Sequence, residues 1–251
     1  GELRVILLGA LAERHASFSE IRRLAVALAE ASGARLGFLP DGANAVGASL
    51  AGVTPHRGVG GRPVARPGLA ATEMLAKRLR AYMLVGGIES GDVAPGQSFE
   101  PALAGAECVV TLTPFAGAEQ LAMATVILPV AAFAETSGTW VNLEGRWQSV
   151  PGAARPPGEA RPAWKVLRVL GNLLALPGFE YLSSEDIRDE LRRELGEYAA
   201  AEVASGFVPG RLAALDVTRE VDIYAVDAVV RRSRPLQQVR DSRAVAQDGV
   251  Q

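Results

Sequence analysis

The side chains best suited to chemistry lie between Glu135 and Gln148, where Thr136, Ser137 and Thr139 surround Gly138 and are followed by Asn142, Glu144 and Arg146. Short hydroxyls, a carboxamide and a guanidinium can together hold the phosphates or amides of a ligand, and a glycine lets the backbone approach it. The same groups can equally satisfy one another. In that reading Glu144 and Arg146 pair locally, Asn142 and Gln148 take up backbone groups, and the loop is structural, as most polar clusters are. The two readings part at Arg146, whose guanidinium either forks onto Glu135 or Glu144 or points outward to a phosphate. The local pair is expected, with Glu135 or Glu144 as the carboxylate, because the chain has acids nearby and no phosphate-cradling loop, and its loss costs about 1–3 kcal/mol if the pair is substantially buried.

Other reactive groups are sparse. Cys108 is the only cysteine, which excludes an internal disulfide and any cysteine-ligated iron–sulfur cluster built by this chain alone. It sits in an apolar run with no cationic helper, so it reads as a small buried side chain. His15 and His56 are far apart in sequence, and nothing supplies the three or four ligands of a zinc site. His56 beside Arg57 reads as a solvated loop pair. Glu89 and Asp92, in the stretch Gly86-Gly87-Ile88-Glu89-Ser90-Gly91-Asp92, read as solvated loop acids or as a cap for the next helix.

The elements that must position these residues follow from periodicity. Leu3 to Gly9 is a buried strand; Phe18, Ile21, Leu24, Ala25, Leu28 and Ala31 recur at helical spacing before Gly33; Arg35 to Leu39 is a second strand. Strand, helix, strand at this spacing is a βαβ unit, which implies a parallel sheet. The glycine-rich stretch Gly42 to Gly61 is expected as loops, without a GxGxxG or a P-loop pattern. Further helices are expected at Leu69 to Arg80, near Glu100 to Ala106 and at Ala118 to Ala124. They alternate with strands at Tyr82 to Val85, Glu107 to Leu112 and Thr125 to Pro129, making about five strands in βα order. Pro129 stops the last of these, so the hydroxyl loop hangs from a strand end. Beyond it Val141, Leu143 and Trp147 fall on one face, Asn142, Glu144, Arg146 and Gln148 on the other, with a turn at Gly145.

Pro151 to Pro162 is an extended linker along a surface or between lobes. Ala163 to Leu176 is apolar on more than one face and is expected to be a helix buried on the sheet or against another subunit. Ser183 or Ser184 caps a charged helix to Leu195, with Asp186 completing a capping box and Ile187, Leu191 and Leu195 as a narrow, lightly docking stripe. Gln237 to Gln251 is polar and reads as disordered. Residues 1–150 thus form an α/β parallel-sheet domain, 151–200 a linker and helical extension packed on it, and 201–251 an irregular tail.

With 251 residues, 49% hydrophobic and 22% charged, the chain can bury one sizeable core, or one core plus an appendage. A formal charge of -2 from 26 basic and 28 acidic residues gives no field of one sign, so no nucleic-acid partner is implied. No apolar run approaches the roughly 20 residues of a membrane span. Gly1 rather than methionine, directly before a strand, is expected of a fragment or a processed chain.

The pattern Val126-Ile127-Leu128-Pro129, then Glu135, Gly138-Thr139, Asn142, Glu144-Gly145-Arg146 and Gln148, resembles the molybdopterin oxidoreductase superfamily. The runs Arg161 to Leu174 and Ser183 to Arg188 are similar to the C-terminal third of the large iron–sulfur subunits of respiratory NADH:quinone oxidoreductase, complex I, and the likeness extends to about Gln237. The resemblance implies a Rossmann-like parallel-sheet domain with a helical C-terminal extension. It also implies a non-catalytic scaffold role within that enzyme complex, with other hydrophilic-arm subunits as partners. The implied location is peripheral, on the cytoplasmic side of a bacterial inner membrane or the matrix side of a mitochondrial one. Iron–sulfur clusters would belong to an N-terminal region of the parent; this chain would hold no cofactor and have no activity alone. The loop Thr136, Ser137, Gly138, Thr139, Asn142, Glu144 and Arg146 would then be a vestige of a cofactor site.

The alternative is a fragment of a catalytic, formate dehydrogenase-like member whose loop touches a pterin guanine dinucleotide. Two departures count against it. Ile88-Glu89 stands where catalytic members usually carry a Gly-x-Asn-Pro loop, and a carboxylate there repels a pyrophosphate. Ala124-Thr125 stands where the superfamily often has Ala-Asp.

Overall fold

In the computed structural model, residues 3–13, 15, 17–40, 42–89, 92–93, 98–196, 224 and 228–239 are described. Strand β1 (Val5–Leu8) pairs in parallel with β2 (Arg35–Phe38), Val5 opposite Arg35 and Leu8 opposite Phe38. After the short α1 (Ala10–Glu13), the crossover is α2 (Phe18–Ser32), which packs on both strands through Ala25, Val26 and Ala29. Small side chains on that face allow close approach, and Gly33 ends the helix in the left-handed conformation, φ +66, its N–H returning to Ala29 O.

The second parallel sheet is β3 (Ala81–Val85), β4 (Cys108–Thr113) and β5 (Val126–Pro129), with β4 central. Met83, Val110 and Val126 stand in one row of its register. The connections are α5 (Glu100–Ala104) and α6 (Ala118–Met123), and α4 (Ala71–Lys77) leads into β3. One face is sealed by Tyr82, Phe99, Ala102, Leu103 and Val109, with Leu75, Leu79 and Met123 packed against them. Tyr82 also ties β3 to α4: its hydroxyl accepts from Leu79 N and donates to Met74 O, both at 2.9 Å. Cys108 is half-buried at the start of β4 rather than enclosed, because it lies at the open end of the strand where Arg80 O takes its N–H.

The five strands expected in βα order are present, but among the described residues they form two parallel sheets and not one. The reason lies in the glycine-rich connection, expected as loops. It folds into α3 (Ala45–Ala51) and a 3₁₀ turn (Val59–Gly61), and these pack on a third unit. Gly52 makes the turn possible: its φ is +77, and a Cβ there would lie 2.4 Å from the carbonyl carbon of Gly58.

That third unit is a hairpin, β6 (Gly138–Val141) antiparallel to β7 (Trp147–Val150), roofed by α8 (Ser184–Leu195). Leu50 of α3, Val141 of β6 and Leu195 of α8 are buried together, with Val46, Val59, Trp147 and Leu191 around them. The stripe expected to dock lightly is therefore a core element. The proline-rich linker folds back as an extended strap. Ala153 N and Ala154 N donate to Ala134 O in the 3₁₀ turn Phe133–Glu135, Ala131 N donates to Arg161 O, and Ala160 is buried.

The apolar helix behaves otherwise. α7 (Ala163–Leu173) is not buried on a sheet: of its residues only Gly171 is buried, and Val169, Leu173, Leu174 and Leu176 at its C-terminal end are exposed, Leu173 by 79%. Its inner side is occupied by its own continuation, since the Phe179 ring lies over Gly171 and Arg168 Nη1 donates to Tyr181 O at 2.8 Å. The stretch expected as an irregular tail is also corrected, because α9 (Ala228–Arg232) is helical and residues 234–239 are helical beyond it. The rest of that tail, with most of Gln237 to Gln251, lies outside the described residues.

The cap of α8 is as the sequence predicts. Ser183 Oγ accepts from Asp186 N, and the Asp186 carboxylate accepts from Ser183 N and Leu182 N at 2.9 Å. Those backbone donors, Leu182 first, hold the Asp186 carboxyl below its usual value. The cap is thus complete above the ordinary aspartate range and fades as the pH falls below it. Ser183→Ala is expected to cost about 1 kcal/mol in urea denaturation at neutral pH, where the cap is complete.

Candidate functional site

The hydroxyl loop leads from the 3₁₀ turn into β6. Glu135 does not reach Arg146: its Oε2 accepts from Ala132 N at 2.9 Å and closes the 3₁₀ turn. Thr136 Oγ1 donates to Ser137 O at 3.3 Å, and Ser137 Oγ accepts from Ser184 Oγ, in the first turn of α8, at 2.9 Å. Across the hairpin Thr139 Oγ1 and Ser149 Oγ share a hydrogen bond of 2.9 Å, and Ser149 Oγ also accepts from Arg188 Nη1 at 3.1 Å. Arg192 lies over the Trp147 ring, 4.8 Å from its centroid. Ser184, Arg188 and Arg192 of α8 thus cover the hairpin face that carries Thr139, Val141, Trp147 and Ser149.

At the hairpin tip Asn142 Oδ1 accepts from Glu144 N and Arg146 N at 3.1 and 2.9 Å, the backbone role expected of it. Gly145 turns the chain with φ +75. The tip ends the alternation. β6 stops at Val141, so Leu143 projects 53% exposed instead of joining Val141 and Trp147. Arg146 does meet Glu144, but the pair is 3.8 Å apart with side chains 72% and 74% exposed. The local pair with Glu144 is thus present, but the hairpin tip holds both groups in water and the condition of burial is not met. Arg146→Ala is expected to change the free energy of unfolding by less than about 1 kcal/mol, read from urea denaturation.

Residues that sequence reasoning missed position this loop. Asn44, just before α3, donates from Nδ2 to Thr139 O at 3.4 Å and accepts Val141 N on Oδ1 at 2.8 Å, completing the edge of β6. Gly47 permits it, since a Cβ there would lie 2.1 Å from Asn44 Oδ1. An asparagine ahead of an apolar helix signals a cap; nothing local signals a partner so far along the chain. Thr125, where the superfamily often has an acid, takes Val109 N on its hydroxyl at 2.9 Å, and so serves the sheet.

The second candidate region is the loop after β3. Gly86 and Gly87 have φ +98 and +82, and Gln120 packs on Gly87, 4% exposed, Nε2 donating to Ile88 O at 3.4 Å. Glu89 is neither solvated nor only a cap: its side chain is 19% exposed and pairs with Arg231 and Arg232. A carboxylate removed from water needs such counter-charges, and they hold it below the usual glutamate range, Arg232 contributing most. Asp92 Oδ2 accepts from Glu89 N at 2.8 Å. His56 and Arg57 lie exposed, as expected. An open cleft beside α8 is lined by Glu180, Asp186, Asp189 and Glu190 against Arg193, a charge balance opposed to an anionic ligand. Among the described residues no group of three or more histidine, cysteine, aspartate or glutamate side chains is placed to hold a metal ion, and no helix is long and apolar enough to cross a membrane.

Residues 3–173 match the family model described as molybdopterin oxidoreductase. Among characterised proteins, the chain is 44% identical over 79 residues to the mitochondrial NADH-ubiquinone oxidoreductase 78 kDa subunit of Candida albicans, covering 30% of this chain and 10% of that one. It is 46% identical over 67 residues to the NADH-ubiquinone oxidoreductase 75 kDa subunit of Reclinomonas americana, covering 26% and 9%. It is also 38% identical over 81 residues to the F420-dependent formate dehydrogenase subunit alpha of Methanocaldococcus jannaschii, covering 32% and 12%. The matched segments are about a tenth of each relative's length.

Proposed function

Because the chain belongs to the molybdopterin oxidoreductase family, we propose that it is a non-catalytic scaffold region of a large iron–sulfur subunit in an NADH:quinone oxidoreductase. The observation that carries this reading is that the groups of the Thr136 to Arg146 loop are engaged within the chain. Ser137 and Thr139 are hydrogen-bonded to Ser184 and Ser149 and Asn142 to the hairpin backbone, while Glu144 and Arg146 face each other in solvent at 3.8 Å. Two observations count against a bound pterin guanine dinucleotide. Its phosphates would meet the Glu89 carboxylate at one edge and hydroxyls already satisfied at the other. Electron relay would then belong to iron–sulfur clusters elsewhere in the parent subunit, and this chain would neither oxidise NADH nor reduce quinone.

The exposed apolar end of α7, with Leu173, Leu174 and Leu176, supports contact with another hydrophilic-arm subunit, since such a patch is otherwise an aggregation liability. The assembly would lie peripherally on the cytoplasmic or matrix side of its membrane. A second reading has its own support: the 38% identity to a formate dehydrogenase alpha subunit leaves the catalytic branch as the alternative.

The test is made in the full parent subunit with its partners. Leu173→Lys with Leu176→Lys is expected to abolish co-migration of the subunit with NADH dehydrogenase activity on native gels while leaving the melt of the isolated chain unchanged. Full assembly of the double variant would overturn the scaffold reading.

A further inference from the structure

In open parallel sheets ligands bind beyond the carboxyl ends of the strands. In the three-stranded sheet that edge is made by two loops, the one after β3 carrying Glu89 and Asp92, and the one after β4 carrying Phe115. The loops are joined to each other, because Gly86 N donates to Leu112 O at 2.7 Å and Thr113 Oγ1 donates to Gly86 O at 3.5 Å. Onto this edge α9 brings two successive arginines. Arg231 Nη1 donates to Glu89 Oε2 at 2.9 Å and its Nη2 to Asp92 Oδ1 at 2.6 Å. Arg232 donates to Glu89 from both terminal nitrogens, and its guanidinium lies 4.6 Å from the centroid of the Phe115 ring.

We infer that the carboxyl edge of the β3–β4–β5 sheet is a receptor for a basic helix, and that residues 228–239 of this chain fill it in place of an anionic ligand. The chemistry is that of a selective socket. Glu89 accepts from two guanidinium groups at once, Asp92 fixes the second fork of Arg231, and the Phe115 face takes the flat side of Arg232. Lysine has neither the fork nor the plane, so an Arg-Arg pair is what the socket selects. The helix is itself braced from behind, since Gln237 Nε2 donates to Tyr224 O and Val230 O at 2.9 Å. Side-chain exposures of 14% for Arg231 and 19% for Glu89 set this cluster apart from the surface pair of Arg146 and Glu144. Breaking one partner of such a pair leaves a charge out of water without compensation.

The arginines could in principle serve a phosphate instead, with Glu89 as their resting counter-ion, and the experiment separates the two. Amide hydrogen exchange is followed in the chain, in Glu89→Lys and in Arg231→Gln/Arg232→Gln. Both variants are expected to exchange about tenfold or more faster across 228–239, while β4 stays protected. Combining Glu89→Lys with Arg231→Glu is expected to restore protection in part. Should Glu89→Lys also open β4, the arginine variant, which alters only the helix, decides. Unchanged exchange across 228–239 in that variant would overturn the inference. So would stoichiometric binding of inorganic pyrophosphate by the parent that is lost with the two arginines. The measurement is made on the chain alone, so it fails or succeeds independently of the assembly test above.

Discussion

Phe99→Ala lowers the stability of the three-stranded sheet by about 3–5 kcal/mol, the range for removing a buried aromatic ring and leaving a cavity. Phe99 is 0% exposed and lies just before α5, packed with Tyr82, Leu103 and Val109 between helix and sheet. It has no polar group to relocate, and the surrounding residues belong to β3, β4, α4, α5 and α6, so collapse into the void would require several of them to shift together. The three tryptophans, Trp140, Trp147 and Trp164, lie outside this cluster, so the effect is read by amide exchange in β4 rather than by their fluorescence. A variant whose β4 amides stay protected as in the parent would show that the core is misassigned.

Leu195→Ala is the second large effect, about 2–5 kcal/mol for a buried leucine. Leu195 is 7% exposed at the last turn of α8, against Leu50 and Val141, with Trp147 at the rim. Its loss detaches the roof from the hairpin, so Ser184 and Arg188 leave Ser137 and Ser149. Trp147 fluorescence should shift toward that of a solvated indole at a lower urea concentration than in the parent, whereas the exchange of β4 is expected to change little. Coincident loss of both regions would mean that the hairpin unit and the parallel sheet unfold as one.

Local features were legible in the sequence. α2 ends at Gly33 and β5 at Pro129 because those residues restrict the backbone wherever they occur, and the Ser183–Asp186 cap depends only on residues three apart. Partner identity was not legible. α7 is the more apolar helix and α8 the more charged, yet α8 is the one that docks, since Leu50 and Val141 complete its stripe. Apolarity states that a helix needs a cover, not which surface provides it. The same holds for polar groups: Glu89 finds its counter-charges 142 and 143 residues away, and Asn44 finds Val141 N 97 residues away. Arg146 failed for a different reason. A local carboxylate, Glu135 or Glu144, was expected and Glu144 is the partner, but the hairpin tip that exposes both follows from where β6 stops, at Val141.

The claim on which the rest depends is that the Thr136 to Arg146 loop holds structure and not a guanine dinucleotide. Thermal melts of the parent chain and of Arg146→Ala, each with and without millimolar guanosine diphosphate, test it directly. Four superimposable melts are the predicted result. A nucleotide-dependent rise in the parent that Arg146→Ala abolishes would contradict the account and make Arg146 a ligand-binding residue.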